Sequence, residues 1–303
     1  MAKAGSWVVS AVIALVLVSG AGAASSGPPP GTPDPSTIVL TAADFPGSAD
    51  GGGVAGSPTH EIVASYQRAT AFAKPYGSSQ YSLLVSTAFI TTTAGSAGSE
   101  YSLLAHQLSS HSGQAGFVKD FLAGAKVKPA DARVGITKPH ALGIGDASME
   151  TGFVFTLVKA KKRTNVSLSV IALDRVVVVN VAAGVAGKVV AADAKSLARL
   201  VVAHATAELV PISVALPAVS GSAQQGQVLS ATTGTWGNAP TGFTYQWEDC
   251  DPAGATCTAV AGATGGSYVV QPTDVGETLR VQVTATNRFG STPSNSTITA
   301  AAT

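Results

Sequence analysis

Two stretches near the C-terminus alternate with a period of two, which leaves little freedom in how that end of the chain can fold. Phe243, Tyr245 and Trp247 alternate with Thr244, Gln246 and Glu248. Leu279, Val281, Val283 and Ala285 alternate with Arg280, Gln282, Thr284 and Thr286. Successive side chains on a strand point to opposite faces, so each stretch is a half-buried strand that can cover an opposite sheet. Short strands recur between Gly/Pro/Asn/Asp turns throughout 217–303, which predicts an all-β sandwich.

Residues 38–209 read as one α+β domain. Strands are expected over Ile62 to Phe72 and Tyr81 to Thr91. Helical spacing then takes over at Tyr101, Leu104, Ala105 and Leu108, with Ser99 as a possible cap and Glu100 in the first turn. A second helix is expected from Gln114 to Ala125, with Phe117, Val118, Phe121 and Leu122 on one face. Thr151 to Val158, Val166 to Leu173 and Val176 to Val181 are strands, joined by the basic turn Lys159–Asn165 and by Asp174-Arg175. Asp193 opens a last helix that carries Leu197, Leu200, Val201 and His204. The expected architecture is an antiparallel sheet with the helices on one face. The Pro/Gly/Ser-rich stretch 24–37 reads as an extended linker, and 210–216 as a hinge between Pro211 and Pro217.

Residues 1–23 read as a secretory signal peptide. Lys3 precedes an apolar run from Trp7 to Val18, and Ala21-Gly22-Ala23 supplies the small side chains that signal peptidase needs. The run falls short of the ~20 residues of a bilayer span, and no cysteine follows it to take a lipid. Val176 to Ala192 is interrupted by Asn180, Gly184, Gly187 and Lys188, so no transmembrane segment is expected after cleavage at Ala21 and Ala23. Export gives the two cysteines, Cys250 and Cys257, a disulfide reading. Closing so short a loop contributes about 2.5 kcal/mol in the chain-entropy model. A net charge of +1, with only 12% charged residues, offers nucleic acid no electrostatic footprint.

These residues carry two resemblances. Gly226-x-x-Leu229, Gly234-x-Trp236, Tyr245-x-Trp247-x-x-Cys250, Cys257, Tyr268, Asp274-x-Gly276 and Leu279-Arg280-Val281 resemble the immunoglobulin-like repeats of secreted and wall-associated actinobacterial proteins. The resemblance implies a core of Trp236, Tyr245, Trp247, Leu279 and Val281. It also implies that Cys250–Cys257 staples the Trp247 strand to the next one. Thr278 and Arg280 stand where antibody domains have Tyr and Cys, so neither a tyrosine corner nor an inter-sheet disulfide is implied. Leu40-Thr41-x-x-Asp44-Phe45-Pro46-Gly47, Tyr66-x-Arg68 and Leu142-Gly143-x-Gly145-Asp146-Ala147-Ser148 look like the exported sensor-type α/β domains of actinobacterial lipoproteins and kinase ectodomains. So does the strand–helix finish from Arg175 to Leu209.

Motifs for chemistry are sparse. Gly143-x-Gly145-x-x-Ser148 approaches a dinucleotide loop, but it lacks the strand before and the helix after that such a loop needs. Gly184-x-x-Gly187-Lys188 is too short for a phosphate loop. His106 and His111 are five apart, not the four that would bring two zinc ligands to one helix face, and His60, His140 and His204 are scattered. No Gly-x-Ser-x-Gly elbow occurs, although Ser, His and Asp could still meet in space. Lys159, Lys161, Lys162 and Arg163 form a basic cluster, readable as a contact for an anionic envelope polymer or lipid headgroup or as a solvated turn. Asn165-x-Ser167 and Asn295-x-Thr297 match glycosylation acceptors.

The expectation is a secreted or cell-surface, non-enzymatic binding or adhesion protein without cofactor or metal. Its partner would be an unidentified protein, glycan or envelope component. The competing expectations are a sensor or carrier for a small apolar ligand, and an exported hydrolase with an accessory immunoglobulin-like domain.

Overall fold

The computed structural model describes residues 28–56, 61–77, 81–184 and 191–303. The leader with Ala21 and Ala23, His60, and Gly187-Lys188 lie outside them. The chain divides into two units: Asp34–Glu208 form most of one, and Pro29–Pro33 with Leu209–Thr303 form the other.

The first unit is built on one antiparallel sheet. Its strands are β1 (Ala49–Gly56), β2 (Ile62–Tyr76), β3 (Tyr81–Thr91), β4 (Ala132–Ile136), β5 (His140–Ala141), β6 (Ala147–Leu157), β7 (Lys162–Leu173) and β8 (Val176–Gly184). The order across the sheet is β1-β2-β3-β8-β7-β6-β4, and β5 also pairs with β6. Among the described residues, four helices accompany it: α1 (Pro35–Ile38), α2 (Ala94–Ser109), α3 (His111–Gly124) and α4 (Ala191–Glu208).

The helices do not share one face, which corrects the sequence expectation. Every residue of β7 from Thr164 to Leu173 is buried, so both faces of the sheet are covered. Val166, Leu168, Val170 and Ala172 join Leu108, Phe117 and Phe121 of α2 and α3 in the main core. Their neighbour Ile171 points the other way and packs with Ala194 and Ala198 of α4. The α2/α3 side carries two close aromatic pairs: the ring centroid of Phe117 lies 4.4 Å from that of Phe153 in a tilted arrangement, and Phe121 stacks on Phe155 at 4.2 Å.

Helix α2 starts before the expected Ser99. Thr93 is its N-cap, and the Thr93 side chain accepts from the Ser96 backbone N–H at 3.0 Å. This satisfies one of the donors that the first turn leaves unpaired. Ser110 caps α3 in the same way, accepting from Gly113 N at 3.2 Å.

The second unit is all-β apart from the 3-10 turn Pro272–Asp274. Its strands are β9 (Ile212–Ala215), β10 (Val219–Ser220), β11 (Val228–Ala231), β12 (Thr235–Gly237), β13 (Gly242–Cys250), β14 (Cys257–Ala259), β15 (Ser267–Val269), β16 (Thr278–Asn287) and β17 (Gly290–Asn295). One sheet runs β10-β11-β15 and another β14-β13-β16-β17, with β9 and β12 as a separate pair. Strand β9 thus occupies residues that read as a hinge. The two larger sheets meet at Leu229 and Tyr268 from one and Trp247, Leu279, Val281 and Val283 from the other. Trp247, Leu279 and Val281 are fully buried. Tyr245 and Trp236 are partly buried against this core, and Phe243, at the open end of its alternating face, is 38% exposed.

A disulfide joins Cys250 to Cys257, which face each other across β13 and β14. A second lock was not foreseen: the Tyr268 hydroxyl donates to Asp274 Oδ2 at 2.8 Å. It ties β15 to the turn that leads into β16.

Part of the stretch read as a free linker is docked. Gly31 has a left-handed backbone (φ 76°), and a Cβ built on it would stand 2.9 Å from Gly237 Cα and 3.0 Å from Val214 Cγ2. Only glycine permits both the conformation and the approach. Pro29–Pro33 therefore lies against β9 and β12. Just beyond it, Asp34 N donates to Glu208 Oε2 at 3.3 Å, so the first unit begins and ends at adjacent points.

Candidate functional site

The α4 side of the sheet carries a row of polar residues that the packing buries. Ser167 and Ser169 share the face of Ile171, two and four residues away on β7. Directly across the strands, Glu150 pairs with Ser169, Ser169 with Asn180, and Asn180 with Ser86. His140 on β5 pairs with Glu150, and Arg68 on β2 with Ser86. Glu150 and Ser86 are 0% exposed, Asn180 1% and Ser169 2%.

The two halves of this row differ. At one end, Ser167 Oγ donates to Glu150 Oε1, and His140 Nε2 lies 3.2 Å from Glu150 Oε2. Burial pushes the Glu150 carboxyl above its usual range. The Ser167 hydrogen bond and the facing His140 oppose that shift, while Asp193 at the start of α4 adds to it. At the centre, among the described residues, Asn180 has no hydrogen-bond partner on either its amide nitrogen or its oxygen. Neither do Ser86 Oγ and Thr70 Oγ1, and Thr70, on the same face of β2, is also 0% exposed. A buried polar group left unpaired costs about 1–3 kcal/mol, so several together mark a place suited to a hydrogen-bonding guest.

Ser167, Glu150 and His140 are not in the order of a serine triad. A serine nucleophile needs the imidazole as its immediate proton acceptor, with the carboxylate behind it. Here Glu150 stands between Ser167 and His140, so the hydroxyl proton points at the carboxylate. Arg68 at the far end is paired with Asp50.

The other sequence candidates fall elsewhere. His204 Nε2 is 3.0 Å from Asp44 Oδ1, while Asp44 Oδ2 accepts from Thr41 N at 2.7 Å. The Leu40–Gly47 motif thus fixes the end of α4 to a short turn. Gly143 and Gly145 have left-handed backbones (φ 69° and 70°), and Ser148 Oγ accepts from Ile144 N at 3.0 Å. That loop leads into strand β6 and is not followed in sequence by a helix. His106 and His111 lie exposed on α2 and α3. Among the described residues, no group of three or more His, Cys, Asp or Glu could hold a metal.

No family model matches the chain, and no curated protein matches it. Among solved structures, the extracellular domain of PknH from Mycobacterium tuberculosis is similar at 10% identity and a TM-score of 0.35. The match covers 56% of this chain and 94% of that one.

Proposed function

We propose that the chain is an exported, non-catalytic binding protein. Its α+β domain takes up a small hydrogen-bonding ligand at the row under α4, and its β-module acts as a rigid spacer. The observation that carries the reading is Asn180, a buried amide with both ends unpaired beside the unpaired Ser86 and Thr70 hydroxyls. Such a group offers one donor and one acceptor to an amide, hydroxyl or carboxyl ligand. The disulfide supports an oxidising compartment, and no described helix is long and apolar enough to cross a membrane. The order β14-β13-β16-β17 facing β10-β11-β15, with a buried Trp247 on β13, supports an immunoglobulin-like sandwich. An apolar-ligand carrier is the second reading; on the α2/α3 side of the sheet the Phe117 and Phe153 rings, and those of Phe121 and Phe155, are in contact.

The test uses the chain produced without residues 1–23, as wild type and as Asn180→Val. Thermal unfolding is followed at 222 nm with single amino acids, short peptides and amino sugars added. The reading predicts that at least one compound class raises the wild-type Tm and has no effect on Asn180→Val. If no compound shifts the wild type, and Asn180→Val alone is more stable, the row is a structural relic and the proposal fails.

A further inference from the structure

The β6–β7 hairpin gathers positive charge well beyond its own four residues. Lys159, Lys161, Lys162 and Arg163 lie at its tip. Strand β4 pairs with β6, placing Arg133 opposite Thr156, which in turn faces Arg163. The Val158 N–H donates to Asp131 O at 3.0 Å, which brings the 126–131 segment, with Lys126 and Lys128, to the same end. All seven cations are exposed. Segments 126–133 and 157–163 contain one carboxylate, Asp131, and it is taken by Lys159 at 2.9 Å. A chain with a net charge of +1 thus concentrates seven of its 18 Lys and Arg residues at one end of one sheet.

Two further observations bear on what this end meets. Lys126 and Lys161 occupy left-handed backbone positions (φ 55° and 49°), where glycine or asparagine is the low-cost residue. Lysine stands there against the local preference. In addition, Val158 at the tip, next in sequence to Lys159, is 45% exposed.

We infer that this end of the α+β domain is an electrostatic docking surface for an anionic lipid bilayer. The arrangement of the charges selects a plane over a linear polymer. Lys162 and Arg163 point to opposite faces of β7 by strand alternation, and the turn lysines lie between them. The cations therefore lie on both faces of the hairpin and at its turn. A polymer would be gripped along one face, whereas a flat anionic surface met end-on engages all of them. Val158 sits where a shallow apolar contact with the headgroup region is made. Lipid attraction of this kind grows with each Lys or Arg near the surface and falls within a Debye length. The inference is independent of the Asn180 row, which lies in the sheet interior.

The test is co-sedimentation of the chain lacking residues 1–23 with vesicles of phosphatidylcholine alone or with roughly one-third phosphatidylglycerol, at low and high salt. Binding to the anionic vesicles at least about tenfold above the neutral ones, and lost near 0.5 M NaCl, is expected. Lys161→Glu/Lys162→Glu/Arg163→Glu should fall to the neutral level with an unchanged circular dichroism spectrum. Lys195→Glu/Arg199→Glu, which reverses two cations on α4, should bind as wild type. Equal binding to both vesicles, or retained binding by the triple variant, overturns the inference. So does binding to soluble polyphosphate with no sedimentation on anionic vesicles, which would assign the end to a polymer.

Discussion

Removing the Cys250–Cys257 bridge by a double substitution to alanine tests how the β-module holds its β13–β14 hairpin. The cysteines are 7 apart in sequence, and the chain-entropy relation assigns a loop of that size about 2.5 kcal/mol, through the unfolded state. The native loop has its own fastening. Asp251 Oδ1 accepts from the N–H groups of Ala253 at 3.0 Å and Ala255 at 2.9 Å, and Oδ2 accepts from Thr256 N at 2.9 Å. The hairpin should therefore keep its shape without the bridge, leaving the entropic cost as the whole effect. The readout is selective, because the only tryptophans beyond residue 23 are Trp236 and Trp247, both in the β-module. With m near 1.2 kcal/mol/M in urea, the fluorescence midpoint should drop by about 2 M at unchanged m. A drop below about 0.5 M would show that the bridge hardly restricts the unfolded chain. Loss of the native spectrum in the absence of urea would show that Asp251 does not hold the loop. Either result refutes the reasoning.

Three other perturbations have definite signs. The Glu150 carboxyl is raised by burial, so its contribution to stability is fully present below its unfolded value and is lost as pH rises through its folded value. Glu150→Gln should thus be more stable than wild type at neutral pH and equal to it in acid, in thermal melts at 222 nm, where the helices of the first unit dominate. Tyr268→Phe removes a donor to the buried Asp274 and should cost about 1.5–3 kcal/mol in the tryptophan-monitored urea transition. Thr93→Ala should cost about 1 kcal/mol in the 222 nm transition through the lost α2 cap.

Strand positions were largely readable: the period-two patterns at 243–248 and 279–286 report the pleat directly, and the Leu, Val, Phe and Thr richness of 81–91 marks a strand buried on both faces. The candidate site was not, for a related reason. Val166-Ser167-Leu168-Ser169-Val170 alternates like a strand with one wet face, and only the folding of α4 over that face buries the serines with Glu150 and Asn180. Glu150 sits in an otherwise ordinary strand and gave no local signal. The one-sided placement of helices failed with it, since helix length and spacing say nothing about which side of a sheet a helix crosses to. Ser99 misled as a cap because its hydroxyl bonds back to Gly95 O inside the helix, whereas Thr93, before the Gly/Ser run, does the capping. The basic end was half visible: the tip could be read from four adjacent residues, but Lys126, Lys128 and Arg133 join it only through the pairing of β4 with β6.

Mechanical load gives the docked Pro29–Pro33 segment its consequence. The chain leaves that segment at Asp34 and returns at Glu208, one hydrogen bond away. Tension applied at Pro29 against Thr303 is carried first by the segment's seat on β9 and β12. Within the β-module, the close approach of Gly31 to Gly237 and Val214 is therefore the contact that such tension meets first.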